Sequence, residues 1–296
     1  MINLLLYSGS KAAEYFFIDT FHNHTNIKIF TLNKNILTNI KNLLRSDIIQ
    51  IISSDLRGLN GILWIFLYIL FKLLRKPTIL YWIGTDVSVA NKTILHICSN
   101  LITQHIAQSS WLVEELKQIG ITATQMTIPS PTPISITPLP NALTILTYLG
   151  MTVTSDFYGG QIIQKLINTL PYKFLILGQT KFNDLPNVTY LGTIDMNLMD
   201  TIYKDVSVLL RLTKHDGLSH MVVESLSRGK YVIWSQKYPY CYYSTDYIST
   251  VNYLNQLANV QDLNLEGINY IKNNLSQEIM ASQFMKLYTN ILSKET

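Results

Sequence analysis

RLTKHDGLSHMVVESLSRGKYVIWS, residues 211–235, follows the apolar run Val206 to Leu210 and ends in a second one, Tyr231 to Trp234. The order is strand, Gly-led turn, helix start and strand again. In that order Gly217, Leu218 and Ser219 offer backbone N–H groups at a helix N-terminus, where the macrodipole favours an anion such as a phosphate. Two carboxylates flank the turn. At 3.6 residues per turn the spacing from Asp216 to Glu224 places both near one helix face. Ionised carboxylates accept charge-assisted hydrogen bonds from vicinal hydroxyls. Taken singly, either acid reads as an ordinary surface carboxylate of an α/β protein; the whole run in order points to a phosphorylated, hydroxyl-rich ligand.

The strand-and-turn grammar occurs twice. Asn3 to Tyr7 runs into Ser8-Gly9-Ser10, and Leu143 to Leu149 runs into Gly150-Met151-Thr152. In each case a buried-type strand meets a Gly-containing loop and then a helix. Between the halves, Ile128-Pro129-Ser130-Pro131-Thr132-Pro133 and Pro138-Leu139-Pro140 cannot continue a helix or a central strand and read as a linker. The second half continues as strands Lys173 to Leu177, Val188 to Leu191, Ser207 to Leu210 and Tyr231 to Trp234, with a helix over Asn197 to Tyr203. Alternating strands and helices imply parallel sheets. The tail from Leu263 to Lys294 reads as helical.

The 211–235 run resembles the E-x7-E region of the GT-B glycosyltransferases of family GT4, with Asp216 at the first acidic position. Leu226 to Ile233 resembles the family's small-residue, Gly, Lys, Val passage from helix to strand. Pro186-Asn187-Val188-Thr189-Tyr190-Leu191-Gly192 is similar to the family's strand beside the nucleotide base. In the first half, Ile83-Gly84-Thr85-Asp86 resembles the family's "H-G-S-D" turn, with Ile83 at the His position. His105 to Leu112 resembles a further strand and helix start. The resemblance covers nearly the whole chain, closest from Leu143 to Ser235.

What it implies is an α/β protein of GT-B architecture, two Rossmann-like domains with parallel sheets facing across a cleft. Residues 1–135 would form the acceptor-side domain and 141–275 the nucleotide-sugar donor domain, with a helix over 276–296 packing back toward the first. The implied activity is retaining sugar transfer from a UDP- or GDP-sugar to a glycan or lipid-linked acceptor, without a metal or other cofactor. Asp216 and Asp86 are the implied catalytic carboxylates. Asp216 would hold sugar hydroxyls, Glu224 the ribose, and Gly217 to Ser219 the sugar and phosphate. Ser8, Gly9 and Ser10 would meet the diphosphate, and Gly150 and Gly192 would line the donor site. Trp82, Gly84 and Thr85 would lie on the acceptor side. Asp86 has a second reading, as the cap of the helix that follows it. Replacing Asp216 with Ala is expected to lower turnover with little loss of fold.

Two departures concern charge. Family members carry Gly-Arg and then Lys-Gly after the strand that opens the second domain, whereas this chain has Gly150-Met151 and Tyr158-Gly159. Arg211 is the best substitute, because guanidinium binds phosphate bidentately, and Lys214 is second. The other reading of Arg211 is an ion pair with a nearby carboxylate. The lost cations and Ile83 keep open a catalytically inactive homologue that acts as a donor-binding partner subunit. An epimerase, with Asp86, Glu14 and His22 as its acid/base candidates, ranks behind both. A dehydrogenase ranks last, since neither Gly9 nor Gly150 opens a G-x-G-x-x-G run.

Length and composition fit this reading. A chain of 296 residues has room for two domains of ordinary size. Charged residues make up 14% and apolar residues 48%. The net charge of +4 is scattered rather than banked, so no nucleic-acid footprint is read from it. Cys98 and Cys241 form neither a CxxC pair nor a disulfide framework. With no signal-peptide pattern at Met1 to Ser10, a cytoplasmic protein is expected.

Residues 61–76, GILWIFLYILFKLLRK, carry an unbroken apolar stretch too short for the ~20 residues that cross a bilayer. Two readings stand: a helix buried against the first sheet, or one lying in a membrane interface with Lys72, Arg75 and Lys76 on anionic headgroups. The second would place the protein peripherally at the inner face of a membrane.

Overall fold

A computed structural model describes residues 1–128, 136–150, 155–178, 181–182 and 184–294. The chain divides into two compact units, Met1–Pro131 with Leu275–Thr296, and Thr132–Asn274.

The first unit alternates strand and helix: β1 (Ile2–Ser8), α1 (Lys11–Thr20), β2 (Ile27–Thr31), α2 (Ile36–Arg45), β3 (Ile48–Ile52), α3 (Gly58–Leu73), β4 (Thr78–Trp82), α4 (Thr85–Val89), α5 (Lys92–Ser99), β5 (Gln104–Ala107), α6 (Ser110–Gln118) and β6 (Ala123–Gln125). The second contains β7 (Thr144–Tyr148), a 3-10 turn (Ser155–Tyr158), α7 (Gly160–Thr169), β8 (Lys173–Leu177), β9 (Val188–Gly192), a 3-10 turn (Met196–Leu198), α8 (Met199–Lys204), β10 (Val208–Arg211), α9 (His220–Ser227), β11 (Tyr231–Trp234), β12 (Tyr242–Tyr243), α10 (Tyr247–Leu257) and α11 (Leu265–Asn274). The last helix, α12 (Gln277–Ser293), belongs to the first unit.

Each unit holds a six-stranded sheet, in the orders β2-β1-β3-β4-β5-β6 and β12-β11-β10-β7-β8-β9. Every strand pairing is parallel. Helices on both faces of such a sheet bury its strands, which then read as continuous apolar runs; all five residues of β3 and of β4 are buried. The strand order reverses between β1 and β3 in one unit and between β7 and β10 in the other. Open parallel sheets bind ligands beyond the carboxyl ends of their strands at such switch points.

Three expectations need correction. The tail is not one helix: the chain breaks at Leu275 and Ser276, where Ser276 Oγ accepts from Ile279 N at 3.4 Å and starts α12 afresh. The helix expected over Asn197 to Tyr203 is a 3-10 turn followed by α8. The helix after the Gly217 turn begins at His220, with Ser219 as its N-cap, so Asp216 lies before the helix and does not share a face with Glu224. The expected linker lies partly outside the described residues. Its described end is held by Lys230, a buried side chain whose Nζ donates to Thr137 O at 3.3 Å and Pro138 O at 3.4 Å.

Candidate functional site

The carboxyl edge of the second sheet gathers most of the expected donor-side residues. β10 ends in Arg211, whose neighbour β7 runs into Leu149 and Gly150. Gly150 lies against Gly178, whose N donates to Gly192 O at 2.9 Å, so these glycines line the ends of β7, β8 and β9. Arg211 Nε donates to Asp216 Oδ2 at 2.5 Å, and Thr213 Oγ1 reaches the same oxygen at 3.5 Å. The two side chains of this ion pair are 13% and 15% exposed. Burial pulls the guanidinium's pKa down, but the Asp216 charge and hydrogen bond outweigh it and hold Arg211 above its ordinary value. Tyr148 and Tyr158 meet edge to face at 4.9 Å and lie close enough to be felt by that charge. Tyr158 occupies the place expected for the family's lysine; Met151 lies outside the described residues.

Beside Arg211 lies a concavity of about 320 Å³ lined by Thr213, Lys214, Ser235, Gly159, Gln161 and Thr245, among others. Ser235 Oγ donates to Thr213 O at 2.6 Å and Lys214 N to Phe157 O at 2.9 Å, which pins both walls. The N-terminus of α7 opens beside it at Gly159. A Cβ there would meet Leu212 Cβ at 2.6 Å, and φ is +75°, so only glycine fits. Neither α7 nor α9 has a side-chain hydrogen bond from its N-cap residue. Helix starts of this kind offer N–H groups and positive potential to an anion. The start of α7, Thr213 and Ser235 were not identified from the sequence; the pair Gly159-Gly160 was the available signal.

Glu224 joins a different cluster. It is 7% exposed and accepts from Tyr203 OH at 3.2 Å. Arg228 packs over the Tyr203 ring at 4.7 Å and pairs with Asp200. Burial raises the Glu224 carboxyl to about 7 against the pull of Arg228 and Tyr203.

In the first unit, the switch point holds Ser8, Gly9, Ser10 and Asp86. Ser8 Oγ donates to Ser10 O at 2.7 Å, and Ser10 Oγ caps α1 by accepting from Ala13 N at 3.3 Å. Gly9 N donates to Ile52 O at 2.9 Å, and a Cβ on Gly9 would lie 2.4 Å from Ser53 O. Ser53 itself has φ +56°, a strained value for a non-glycine residue of the kind stored at functional sites. Asp86 is buried and closes the turn before it, accepting from Gly84 N at 2.8 Å and Ile83 N at 3.2 Å. Burial lifts its carboxyl to about 6 despite these bonds. Thr85 opens the short helix that carries it. Trp82 corrects an expectation: it is fully buried, with Nε1 donating to His105 Nδ1 at 3.2 Å, and offers no surface to an acceptor.

Among the described residues no group of three His, Cys, Asp or Glu is placed to hold a metal ion, and no helix is long and apolar enough to cross a membrane.

Two doubly wound units of six parallel strands, each with its residues gathered at a switch point, are the GT-B fold. No protein-family model and no curated protein matches the sequence. Solved structures do match. The chain is similar to Anabaena HepE, solved in complex with UDP, at 11% identity and TM-score 0.70, covering 98% of this chain and 100% of that one. It is similar to the sucrose-phosphate synthase of Thermosynechococcus elongatus at 12% identity and TM-score 0.67, covering 98% and 99% of the two chains. The pneumococcal O-GlcNAc transferase GtfA, solved with UDP and GlcNAc, gives 13% identity and TM-score 0.59 over 86% of this chain and 59% of that one.

Proposed function

We propose that the protein is a nucleotide-sugar-dependent glycosyltransferase. The observation that carries the reading is the Arg211–Asp216 pair at the end of β10, set at a switch point beside the starts of α7 and α9. Arg211, oriented by Asp216, meets the donor diphosphate, whose remaining charge is met by Lys214 and the N–H groups of those helix starts. Fixed cations and dipoles of this kind stabilise the charge that develops on a leaving diphosphate. Gly217 to Ser219 contact the donor sugar and Glu224 the ribose. Transfer proceeds with retention and without a metal, and the leaving phosphate takes the acceptor's proton. That the solved relatives include proteins bound to UDP supports a nucleoside diphosphate as the ligand.

The second reading, an inactive partner subunit, is favoured by one observation: Asp216 already occupies Arg211. It predicts nucleotide binding without hydrolysis or transfer.

The test is thermal stability against UDP, GDP, ADP and their sugars, with and without added divalent metal. Ligand at ~100 times its dissociation constant stabilises the fold by about 2.7 kcal/mol. A shift with one nucleotide, independent of metal and abolished by Arg211→Ala, supports the donor site, and turnover of the bound sugar nucleotide then separates the enzyme from the inactive subunit. Silence across the whole panel overturns it.

A further inference from the structure

Four side chains of α8 and α9 form a polar chain that ends at Glu224. Asp200, in the first turn of α8, accepts from Arg228 Nε at 3.0 Å and pairs with its Nη2 as well. Arg228, the C-cap of α9, also donates from Nη1 to Glu224 O at 3.1 Å and lies over the Tyr203 ring at 4.7 Å. Tyr203 OH then donates to Glu224 Oε2 at 3.2 Å. Of the four, only Asp200 reaches solvent to any extent, its side chain 39% exposed against 4% for Arg228. Tyr203 is fully buried and Glu224 nearly so.

Such a chain fixes one oxygen of the carboxylate and leaves the other. An ionised carboxylate has about four lone-pair sites on its two oxygens. Oε2 is taken by the phenol, whereas no described residue donates to Oε1. The phenol has one proton and two acceptors in reach, Oε2 and Met221 O at 3.4 Å. Burial and the neighbouring Glu224 charge hold its pKa well above the ordinary value, so it stays a donor. Arg228 holds the ring in turn by stacking its guanidinium on it, and is itself tied to Asp200 and to the backbone of Glu224. Stability alone does not call for this arrangement. Well-packed apolar side chains of the same volume often stabilise a fold as well as a buried ion pair does, or better. They could not aim Oε1.

We propose that Tyr203 and Arg228 are positioning residues of the donor site: by fixing Oε2 of Glu224 they turn Oε1 toward the ribose hydroxyls of the nucleotide, and so make the site selective for an intact ribose diol over deoxyribose. The ribose assignment of Glu224 rests on the glycosyltransferase reading. A ligand that lacks the hydroxyl leaves a buried carboxylate unpaired, and sites built to bond a hydroxyl reject such analogues for that reason. Without the phenol the carboxylate turns freely about its last bond, whose torsion is soft, and the discrimination shrinks.

Dissociation constants of the full-length protein are measured by calorimetry for UDP, GDP and ADP and for their 2′-deoxy and 3′-deoxy counterparts, above the Glu224 carboxyl's value of about 7. The ribonucleotide that binds is expected to do so at least about tenfold more tightly than one or both of its deoxy forms. Tyr203→Phe, which removes one oxygen and keeps the ring, cuts that ratio severalfold, and Arg228→Met cuts it too. In Glu224→Gln the ratio is already lost, and adding Tyr203→Phe changes it no further. A purely structural role would weaken ribo- and deoxyribonucleotide alike, so an unchanged ratio in Tyr203→Phe overturns the proposal. Equal affinity of the unmodified protein for ribo- and deoxy forms overturns it as well, and needs no variant to fold. A ratio that falls in Tyr203→Phe but not in Arg228→Met overturns the part of Arg228. In all three outcomes a nucleotide still binds and the glycosyltransferase reading stands. Silence toward every nucleotide overturns that reading, and the positioning role with it.

Discussion

Arg211 Nε and Asp216 Oδ2 lie 2.5 Å apart across the turn that leaves β10, in a site where both side chains are largely buried. Asp216 therefore holds a neighbouring cation as well as standing where a donor sugar is expected. That changes the outlook for Asp216→Ala. An unmatched buried donor costs about 1–3 kcal/mol, and more when charged, so the variant loses stability as well as turnover. Arg211→Ala alone is destabilising as well. The double variant is less destabilised than the sum, with a coupling of about 0.5–3 kcal/mol. Denaturant titration of the four proteins reads it; strict additivity would mean the pair adds nothing to the fold.

Glu224 carries a pH dependence of known sign. Burial raises its folded pKa from the ordinary 4.5 to about 7, so the folded chain holds the proton more tightly than the unfolded one. The contribution is fully present below pH 4.5 and is lost as pH rises through about 7. Glu224→Gln, which keeps the shape and a partner for Tyr203 OH, flattens the fall in stability across that window. Melting temperature against pH for the two proteins checks it. Parallel curves would place the source elsewhere, with Asp86, raised to about 6 by burial, next in line.

The strands were legible because fully buried parallel strands are short apolar runs bounded by turns. Lys173–Leu177 and Tyr231–Trp234 lie where the sequence places them. The runs Ile27–Thr31 and Ile48–Ile52 are less legible, since Lys28 and Gln50 interrupt them and neither shows a clean period. Side-chain pairing was less visible. Arg211 and Asp216 are five residues apart, but whether such a pair closes or opens to a ligand depends on the turn between them. Glu224 turns to Tyr203, a partner 21 positions away, and no local pattern encodes that. Trp82 was placed on the acceptor side by the resemblance of the turn after it, but in a strand with neighbours on both sides the side chain before the turn is still inside.

Gly159 is predicted to be irreplaceable. Alanine there would put a methyl group 2.6 Å from Leu212 Cβ and 2.7 Å from Leu212 O at φ +75°. A non-glycine residue forced into such a backbone costs of order 1–3 kcal/mol, and the relief available is to move the start of α7. Gly159→Ala should therefore lower the melting temperature and weaken nucleotide binding together. Unchanged affinity in a destabilised variant would remove the α7 start from the donor site while leaving Arg211 in it.

Phe284 of α12 is fully buried in the first unit, edge to face with Phe17 at 5.1 Å and near Phe21, Tyr81 and Tyr288, each at 6.1 Å. Phe17 belongs to α1 and Tyr81 to β4, so this one ring joins the end of the chain to the helix and sheet at its beginning. Two polar bonds support the same contact: Tyr288 OH donates to Gln50 Oε1 at 2.7 Å, and Gln277 Nε2 donates to Asp19 Oδ2 at 2.6 Å. The ring supplies dispersion and apolar burial that neither bond can replace, and the aromatic cage around it cannot collapse into the space it leaves. Phe284→Ala should cost about 3–5 kcal/mol, whereas Gln277→Ala, at a partly exposed site, should cost well under half of that. Equilibrium denaturation of the two variants measures the contrast. Equal and small losses would mean that α12 is dispensable to the first unit.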